Sequence, residues 1–180
     1  MPYYLYPMRI CIDMDEVLAD NYPKFLDLYK SVFGRRPEKE EYIGGKIYDL
    51  PGANDLRKSL QKPGWFADLP VIDGAVEVVE KLYARHEVFI VSSATEFKHS
   101  MLDKMNWLEK HFPFISYKRV VFCGEKSIAY GDYLIDDKPK NLRSFKGEGL
   151  LFTAPDNVFL ETEFRRFDSW VEVDDFFEGA

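Results

Sequence analysis

Short apolar runs that alternate with segments of helical periodicity constrain the fold of this chain more than any other feature. These runs lie at residues 8–12, 88–91, 120–122, 133–135 and 150–152. Strands that read as continuous apolar runs are typical of a parallel sheet that is covered by helices on both faces. The sequence therefore predicts an α/β fold with one parallel sheet.

Helical patterns fill the intervals between the apolar runs. A face of apolar side chains at helical spacing predicts helices over 75–83 and 101–112, and a short helix and a final helix are expected over 139–145 and 169–177. Asp73 is a candidate N-cap for the first of these. The last predicted strand is the run at 150–152.

The segment between the first and second apolar runs differs from the rest of the chain. Residues 22–33 have helical spacing, but residues 35–70 are rich in charge, glycine and proline and contain no strand-like run. We interpret residues 21–71 as a small helical cap, called the insertion, that lies over the strand ends. Residues 8–20 and 72–180 then form the core.

Composition excludes several functional classes. The net charge of −7 argues against binding of polymeric nucleic acid through its phosphates. No stretch is long and apolar enough to span a membrane, and residues 1–7 look like a short leader without the features of a signal peptide. Cys11 and Cys123 lie in apolar runs, which predicts buried free thiols in a cytoplasmic protein.

Chemically active side chains follow the ends of several predicted strands. In a parallel sheet these ends share one edge, where open α/β sheets bind their ligands. Converging carboxylates need a cation, and Mg2+ prefers oxygen ligands and can also hold a phosphate. Carboxylates, a hydroxyl and an ammonium group are what phosphoryl transfer requires. The residues are Asp13, Asp15, Ser92, Lys126, Asp136 and Asp137.

The order of these residues resembles the four motifs of the haloacid dehalogenase-like (HAD) phosphatases. Within that superfamily the chain is similar to the 5'(3')-deoxyribonucleotidases at residues 13–20, 69–77 and 134–139. The resemblance covers nearly the whole chain from Met8. It implies a Rossmann-like (HAD-like) parallel sheet with helices on both faces and a small helical cap inserted after the first strand.

The resemblance also implies catalytic roles. Asp13 would be the nucleophile that forms an aspartyl-phosphate, and Asp15 would protonate the leaving nucleoside oxygen and later deprotonate water. Ser92 would donate a hydrogen bond to the transferring phosphoryl group, and Lys126 would offset its charge. The implied reaction is hydrolysis of (deoxy)ribonucleoside monophosphates.

A metal site follows from the same resemblance. Mg2+ would be held by the Asp13 carboxylate, the backbone carbonyl of Asp15 and the Asp137 carboxylate, with Asp136 close by or behind them. Mg2+ is therefore the expected cofactor. The expected substrate is a small phosphate ester, and a homodimer is left open.

Candidates for substrate binding are less specific. Tyr48, Trp65 and Phe66 could stack on a base, although packing within the insertion is the commoner environment for such residues. Ser93 adjoins Ser92. Lys104 could reach the phosphate, although a solvated helix face is the commoner environment for a lysine.

Two departures from the family pattern leave the substrate open. Glu16 stands where the family usually has glycine, and Ala94 stands where the nucleotidases tend to have proline. One alternative is the same chemistry on another small phosphomonoester. A second is a non-catalytic signalling module of the receiver type, but there the phosphorylated aspartate ends a later strand, and the runs at 88–91 and 120–122 end without one. A degenerate phosphatase that only binds is disfavoured by the intact set of active side chains.

Overall fold

A computed structural model of the chain describes residues 7–179, and within them six parallel strands form one sheet. The strands are β1 (Arg9–Ile12), β2 (Glu87–Ser92), β3 (Val120–Phe122), β4 (Tyr133–Asp136), β5 (Glu148–Phe152) and β6 (Arg165–Phe167). Their order across the sheet is β3-β2-β1-β4-β5-β6. The predicted α/β fold with a parallel sheet is confirmed. Residues 1–6, most of the predicted leader, lie outside the described part of the chain.

The position of β1 determines where a ligand can bind. β1 pairs with β2 on one side and with β4 on the other, so that Ile12 lies beside both Ile90 and Ile135. The order of the strands along the chain therefore reverses at β1. Such a switch point opens a crevice outside the carboxyl ends of the strands. The residues that follow β1, β2 and β4 border that crevice.

The helices outside residues 35–70 agree with the predicted segments, with one correction: the N-cap of the helix Ala75–Arg85 is Gly74 rather than Asp73. Gly74 has a φ of +76°, a left-handed conformation that glycine adopts at little cost, and no side chain caps this helix. Within the insertion, residues Asn54–Gln61 form a 3-10 helix. The helices are α1 (Tyr22–Phe33), α2 (Lys39–Tyr42), α3 (Ala75–Arg85), α4 (Ser100–His111), α5 (Pro139–Ser144) and α6 (Trp170–Glu178).

The sixth strand was not predicted. β6 has three residues, Arg165 to Phe167, and only Phe167 is buried. A short strand with two arginines at the edge of a sheet lacks the apolar run of an inner strand, and such charge protects the edge from pairing with other chains.

Apolar side chains cover both faces of the sheet. Ile10 and Ile12 belong to the larger buried cluster, whereas Cys11, which points the opposite way, belongs to a smaller cluster with Leu134 and Leu142. Both cysteines are buried and free, as predicted, and burial raises the pKa of the Cys11 thiol to about 11. None of the described helices is long and apolar enough to cross a membrane.

The insertion is connected to the core by two chain segments that run side by side. The Asp20 N–H donates to the carbonyl of Pro70 at 2.9 Å, and the Ile72 N–H donates to the carbonyl of Leu18 at 2.8 Å. Between these two segments, α1 packs against the two 3-10 helices of the insertion, Ile47–Asp49 and Asn54–Gln61. The division of the chain at residues 20/21 and 71/72 stays a prediction.

Trp170 links the last helix to the loop after β1, and we predict that it stabilises the fold. Its indole N–H donates to the carbonyl of Val17 at 2.8 Å, and the side chain is fully buried. Trp170→Phe leaves that carbonyl without this donor, so we expect the free energy of unfolding in urea to fall by about 1–3 kcal/mol. Val171→Ala, at an exposed position of the same helix, should change it by less than about 0.5 kcal/mol. Equal stability of the Trp170→Phe variant and the wild type would contradict this role.

Candidate active site

A tight turn after β1 points the side chains of Asp13 and Asp15 into the crevice. The Asp13 N–H still donates to the carbonyl of Ile135 at 2.9 Å, as if β1 continued. The carbonyl of Met14 then accepts from the N–H groups of Leu18 and Ala19, both at 2.9 Å, which closes the turn. Because Met14 and Leu18 are fully buried, the turn is anchored by its apolar members while the acids face the opening.

Three buried carboxylates meet at this edge of the sheet. Asp13, Asp136 and Asp137 each place an oxygen within 4.8 Å of the other two. The Lys126 ammonium, also buried, lies 2.6 Å from Asp13 Oδ1 and 2.6 Å from Asp136 Oδ2. With the Lys138 ammonium, which lies 2.5 Å from Asp137 Oδ2, two ammonium groups face these three carboxylates. The cluster therefore still has excess negative charge, and a hard cation with oxygen ligands fits that donor set.

Burial and the neighbouring charges both shift the pKa values of the cluster, and burial has the larger effect. Burial, with the neighbouring Asp13 carboxylate, raises the pKa of Asp136 to about 7, although the Lys126 ammonium opposes the shift. Burial likewise raises the pKa of Asp137. A cation beside these groups would favour their ionised forms.

Asp136 and Asp137 have different partners. The Asp136 carboxylate accepts from Lys126, from the backbone N–H of Lys138 at 2.8 Å and from the Asn141 amide at 3.0 and 3.1 Å. Asp137 Oδ2 accepts from the Lys138 ammonium at 2.5 Å. Asp136 therefore orients Lys126 and the start of α5. Asp13 and Asp137 accept fewer hydrogen bonds than Asp136, so a cation bound to them would replace fewer existing contacts.

Lys104 corrects the expectation of a solvated helix face. It is 1% exposed, and its ammonium lies 2.5 Å from Asp15 Oδ2 and 2.9 Å from Ser92 Oγ. Its nitrogen also lies 4.8 Å from the centre of the Phe66 ring. Lys104 lies on the buried face of α4, which directs its side chain into the site. The other buried residues of this face are Ser100, Asp103, Trp107 and Leu108.

Ser92 and Ser93 lie on different sides of the site. Ser92 is fully buried, with its hydroxyl against the Lys104 ammonium, whereas Ser93 lines the cavity beside Asp13 and Asp15. Successive residues at a strand end point in opposite directions, which explains the difference. Asp15 Oδ1 is buried and has no hydrogen-bond partner among the described residues.

A cavity of about 290 Å³ lies between the strand ends and the insertion. The insertion contributes aromatic side chains to its wall, including Phe25, Tyr48 and Phe66. Arg57 of the insertion forms an ion pair with Glu96, which follows β2, and both side chains line the cavity while remaining about half exposed. This pair therefore marks the mouth of the cavity.

Trp65 does not line the cavity. Its indole N–H donates to the side chain of Asn21 at 3.1 Å, and its ring centre lies 4.7 Å from that of Phe25. It is 6% exposed and packs within the insertion, which is the environment that the sequence analysis gave as the commoner one for such a residue. Tyr48 and Phe66, by contrast, do face the cavity.

Glu16 combines an unusual backbone with an unusual environment. Its φ of +61° lies in the left-handed region, which explains why glycine suits this position. The side chain is 7% exposed and lines the cavity. Burial, with the carboxylate of Asp137, raises the pKa of Glu16 well above its usual value, although Lys46 opposes the shift.

Several residues of the site were not singled out from the sequence. Lys138 lies inside one of the stretches that carry the family resemblance, and that is the only signal for any of them. The others belong to no motif and reach the cavity because of how the insertion and the loops fold. They are Asn21, Lys46, Arg57, Glu96, Phe97, Lys138 and Asn141.

We predict that Glu16→Gly stabilises the protein. A residue with a side chain costs about 1–2 kcal/mol in the left-handed conformation. We therefore expect the free energy of unfolding of Glu16→Gly at pH 7 to exceed that of Glu16→Ala by about that amount. Glu16→Ala keeps the strain and removes only the carboxylate. Because the folded protein raises the pKa of Glu16, the charged form is the disfavoured one, and the gain from removing it should grow as pH rises above 4.5. Equal stability of the two variants in urea would contradict the strain.

Comparison with known proteins places the chain in a family. Its nearly full-length relatives include a "Putative 5'(3')-deoxyribonucleotidase" of Staphylococcus epidermidis, 37% identical over 173 residues that cover 95% of this chain and 96% of the relative. The 5'(3')-deoxyribonucleotidase of Bacillus subtilis is 34% identical over 168 residues, covering 92% and 95%.

Solved structures agree on the fold. A haloacid dehalogenase-like protein of Agrobacterium tumefaciens has a TM-score of 0.62 at 14% identity, covering 97% of this chain and 99% of that one. A haloacid dehalogenase-like hydrolase of Burkholderia xenovorans has a TM-score of 0.60 at 13% identity, covering 97% and 98%. Residues 7–179 match the family described as 5' nucleotidase, deoxy (pyrimidine), cytosolic type C protein, and the chain belongs to that family of nucleotidases.

Proposed function

We propose that this protein is a Mg2+-dependent phosphatase that hydrolyses nucleoside monophosphates, with preference for deoxyribonucleotides, through a phosphorylated Asp13. The observation that carries the proposal is the Asp13 carboxylate, which lies among the buried acids and at the wall of a cavity that the insertion completes. The relatives named as 5'(3')-deoxyribonucleotidases support the substrate class.

The residues at the strand ends suit a magnesium ion. The carboxylates of Asp13 and Asp137 and the backbone carbonyl of Asp15 would hold it, with Asp136 behind them. When bound, Mg2+ supplies positive charge that neutralises the oxygens of the transferring phosphoryl group.

Asp13 and Asp15 divide the chemistry between them. One Asp13 oxygen is fixed by the Lys126 ammonium at 2.6 Å, and the carboxylate attacks phosphorus as the bond to the nucleoside oxygen breaks. Asp15 donates its proton to that leaving oxygen. Water then attacks phosphorus, Asp15 takes up a proton from it, and inorganic phosphate leaves with Asp13 restored.

Lys104 and Ser93 complete the phosphate site. The Lys104 ammonium fixes Asp15 Oδ2, so that Oδ1, which has no hydrogen-bond partner among the described residues, is the oxygen placed to move the proton. The Ser93 hydroxyl lines the cavity and donates to a phosphoryl oxygen. Ser92 Oγ accepts from Lys104, so its own hydroxyl hydrogen stays available for the expected hydrogen bond to the phosphoryl group.

The insertion and the loop after β2 provide the contacts for the nucleoside. Tyr48, Phe66 and Phe97 offer aromatic faces to the cavity, and stacking on such faces stabilises a base without requiring one particular base. The Arg57 guanidinium at the mouth is placed to donate to the polar edge of the base. A cytoplasmic location and a homodimer stay predictions.

A panel of phosphate esters tests the function. We predict that the protein releases phosphate from nucleoside monophosphates with Mg2+ and not with excess chelator. Asp13→Asn should reduce turnover below detection while circular dichroism stays unchanged, and the charge-matched control Asp27→Asn, at an exposed position, should retain full activity. Turnover of sugar phosphates alone would favour the alternative function, which is hydrolysis of another small phosphomonoester. No turnover at all would contradict a phosphatase.

Arg57→Met tests the nucleoside contact. Loss of one hydrogen bond, worth about 0.5–1.5 kcal/mol, should raise KM for nucleoside monophosphates about twofold to tenfold. KM for deoxyribose 5-phosphate, which lacks the base, should stay the same. Lys58→Met removes a positive charge from the next residue, whose side chain is 77% exposed, and serves as the control. An equal rise for both substrates would show that Arg57 acts on something other than the base.

A further inference from the structure

The loop after β5, residues 153–164, contacts the backbone of Asp137. The Asn157 side-chain amide donates to the carbonyl of Asp137 at 2.9 Å and to the carbonyl of Phe152 at 2.8 Å. Asn157 is 3% exposed, and its own amide oxygen accepts from Arg166 at 2.8 Å. The loop is therefore fixed against one of the candidate metal ligands, although no sequence motif marks it.

Asp156, in the same loop, joins two lysines. Its Oδ2 accepts from the ammonium of Lys138 at 2.7 Å and from that of Lys46 at 2.6 Å. Lys138 in turn donates to Asp137 Oδ2 at 2.5 Å. A continuous chain of alternating charges thus runs from Lys46 in the insertion to the carboxylate of Asp137.

The environment of Asp156 favours its ionised form and leaves one carboxylate oxygen without a hydrogen bond from the described residues. Burial acts to raise the pKa of Asp156, but the ammonium groups of Lys138 and Lys46 outweigh it and lower the pKa. Its Oδ1 is buried and has no hydrogen-bond partner within residues 7–179. Because this oxygen is unused, the Asp156 carboxylate can accept a further hydrogen bond from the Lys138 ammonium.

We propose that Asp156 is a positioning residue that sets the affinity of the site for Mg2+ by drawing the Lys138 ammonium away from Asp137. The proposal rests on the proposed magnesium site. An ammonium and a cation that share one carboxylate repel each other, and a second carboxylate on the ammonium relieves that competition. Residues that support metal ligands in this way typically change metal affinity 10–100-fold when replaced.

Asp156 also connects the metal site to the insertion. Beside its bond to Lys46, the neighbouring Pro155 carbonyl accepts from the Gly44 N–H at 2.7 Å. The loop that carries Asp156 therefore also holds this edge of the insertion.

Mg2+ binding by isothermal titration calorimetry on the full chain tests the proposal. We expect Asp156→Asn to weaken Mg2+ binding about tenfold or more. Lys138→Met removes the competing ammonium and should tighten it. In the Lys138→Met background, Asp156→Asn should then change affinity less than threefold, because the group through which it acts is gone. Asp55→Asn, on an exposed part of the insertion, is the charge-matched control and should change affinity less than twofold.

The outcomes separate the proposal from the magnesium site itself. Equal loss of affinity from Asp156→Asn in both backgrounds would show a direct effect of its charge and would overturn the role of Lys138. Unchanged or weaker Mg2+ binding by the Lys138→Met variant would also overturn the role of Lys138, and this result does not depend on whether Asp156→Asn folds. No Mg2+ binding by the wild type would overturn the metal site together with this inference.

Discussion

The shared ammonium of Lys126 is the interaction on which the rest of the structure depends. It lies 2.6 Å from carboxylates that follow two different strands, Asp13 after β1 and Asp136 at the end of β4. Burying such charges is unfavourable unless they are paired, and Lys126 together with Lys138 supplies two ammonium groups to three acids, which leaves the pairing incomplete. A parallel sheet with β1 between β2 and β4 is what brings these acids together, and the residual negative charge is what makes the same place suitable for a cation.

The charges around this centre form two branches. Toward α4, the Lys104 ammonium fixes Asp15 and Ser92 and contacts the Phe66 ring of the insertion. Toward the loop after β5, Lys138 and Asp156 connect Asp137 to Lys46. Both branches end on the insertion, so the segment that we propose to bind the nucleoside is also attached to the groups that handle the phosphate.

The sequence predicted well those features that depend on strand ends. Apolar runs marked five of the six strands, and in a parallel sheet the residues that follow them must share one edge, so the acidic cluster could be anticipated. β6 could not, because a short arginine-containing edge strand has no apolar run. The positions of Lys104, Trp65 and the pair of Arg57 with Glu96 depend on how the insertion folds and how it meets the segments after β2, which periodicity does not specify. Asp156 belongs to a loop, where position is set by long-range contacts alone.

Chemical trapping of the intermediate tests the central claim most directly. The protein is mixed with a nucleoside monophosphate and Mg2+, quenched, reduced with borohydride and digested for mass spectrometry. Borohydride reduces an acyl phosphate to an alcohol, so we predict that Asp13 is converted to homoserine only when substrate and Mg2+ are both present. Phosphate release without any modification of Asp13, or modification of a different carboxylate, would contradict Asp13 as the nucleophile at this cluster.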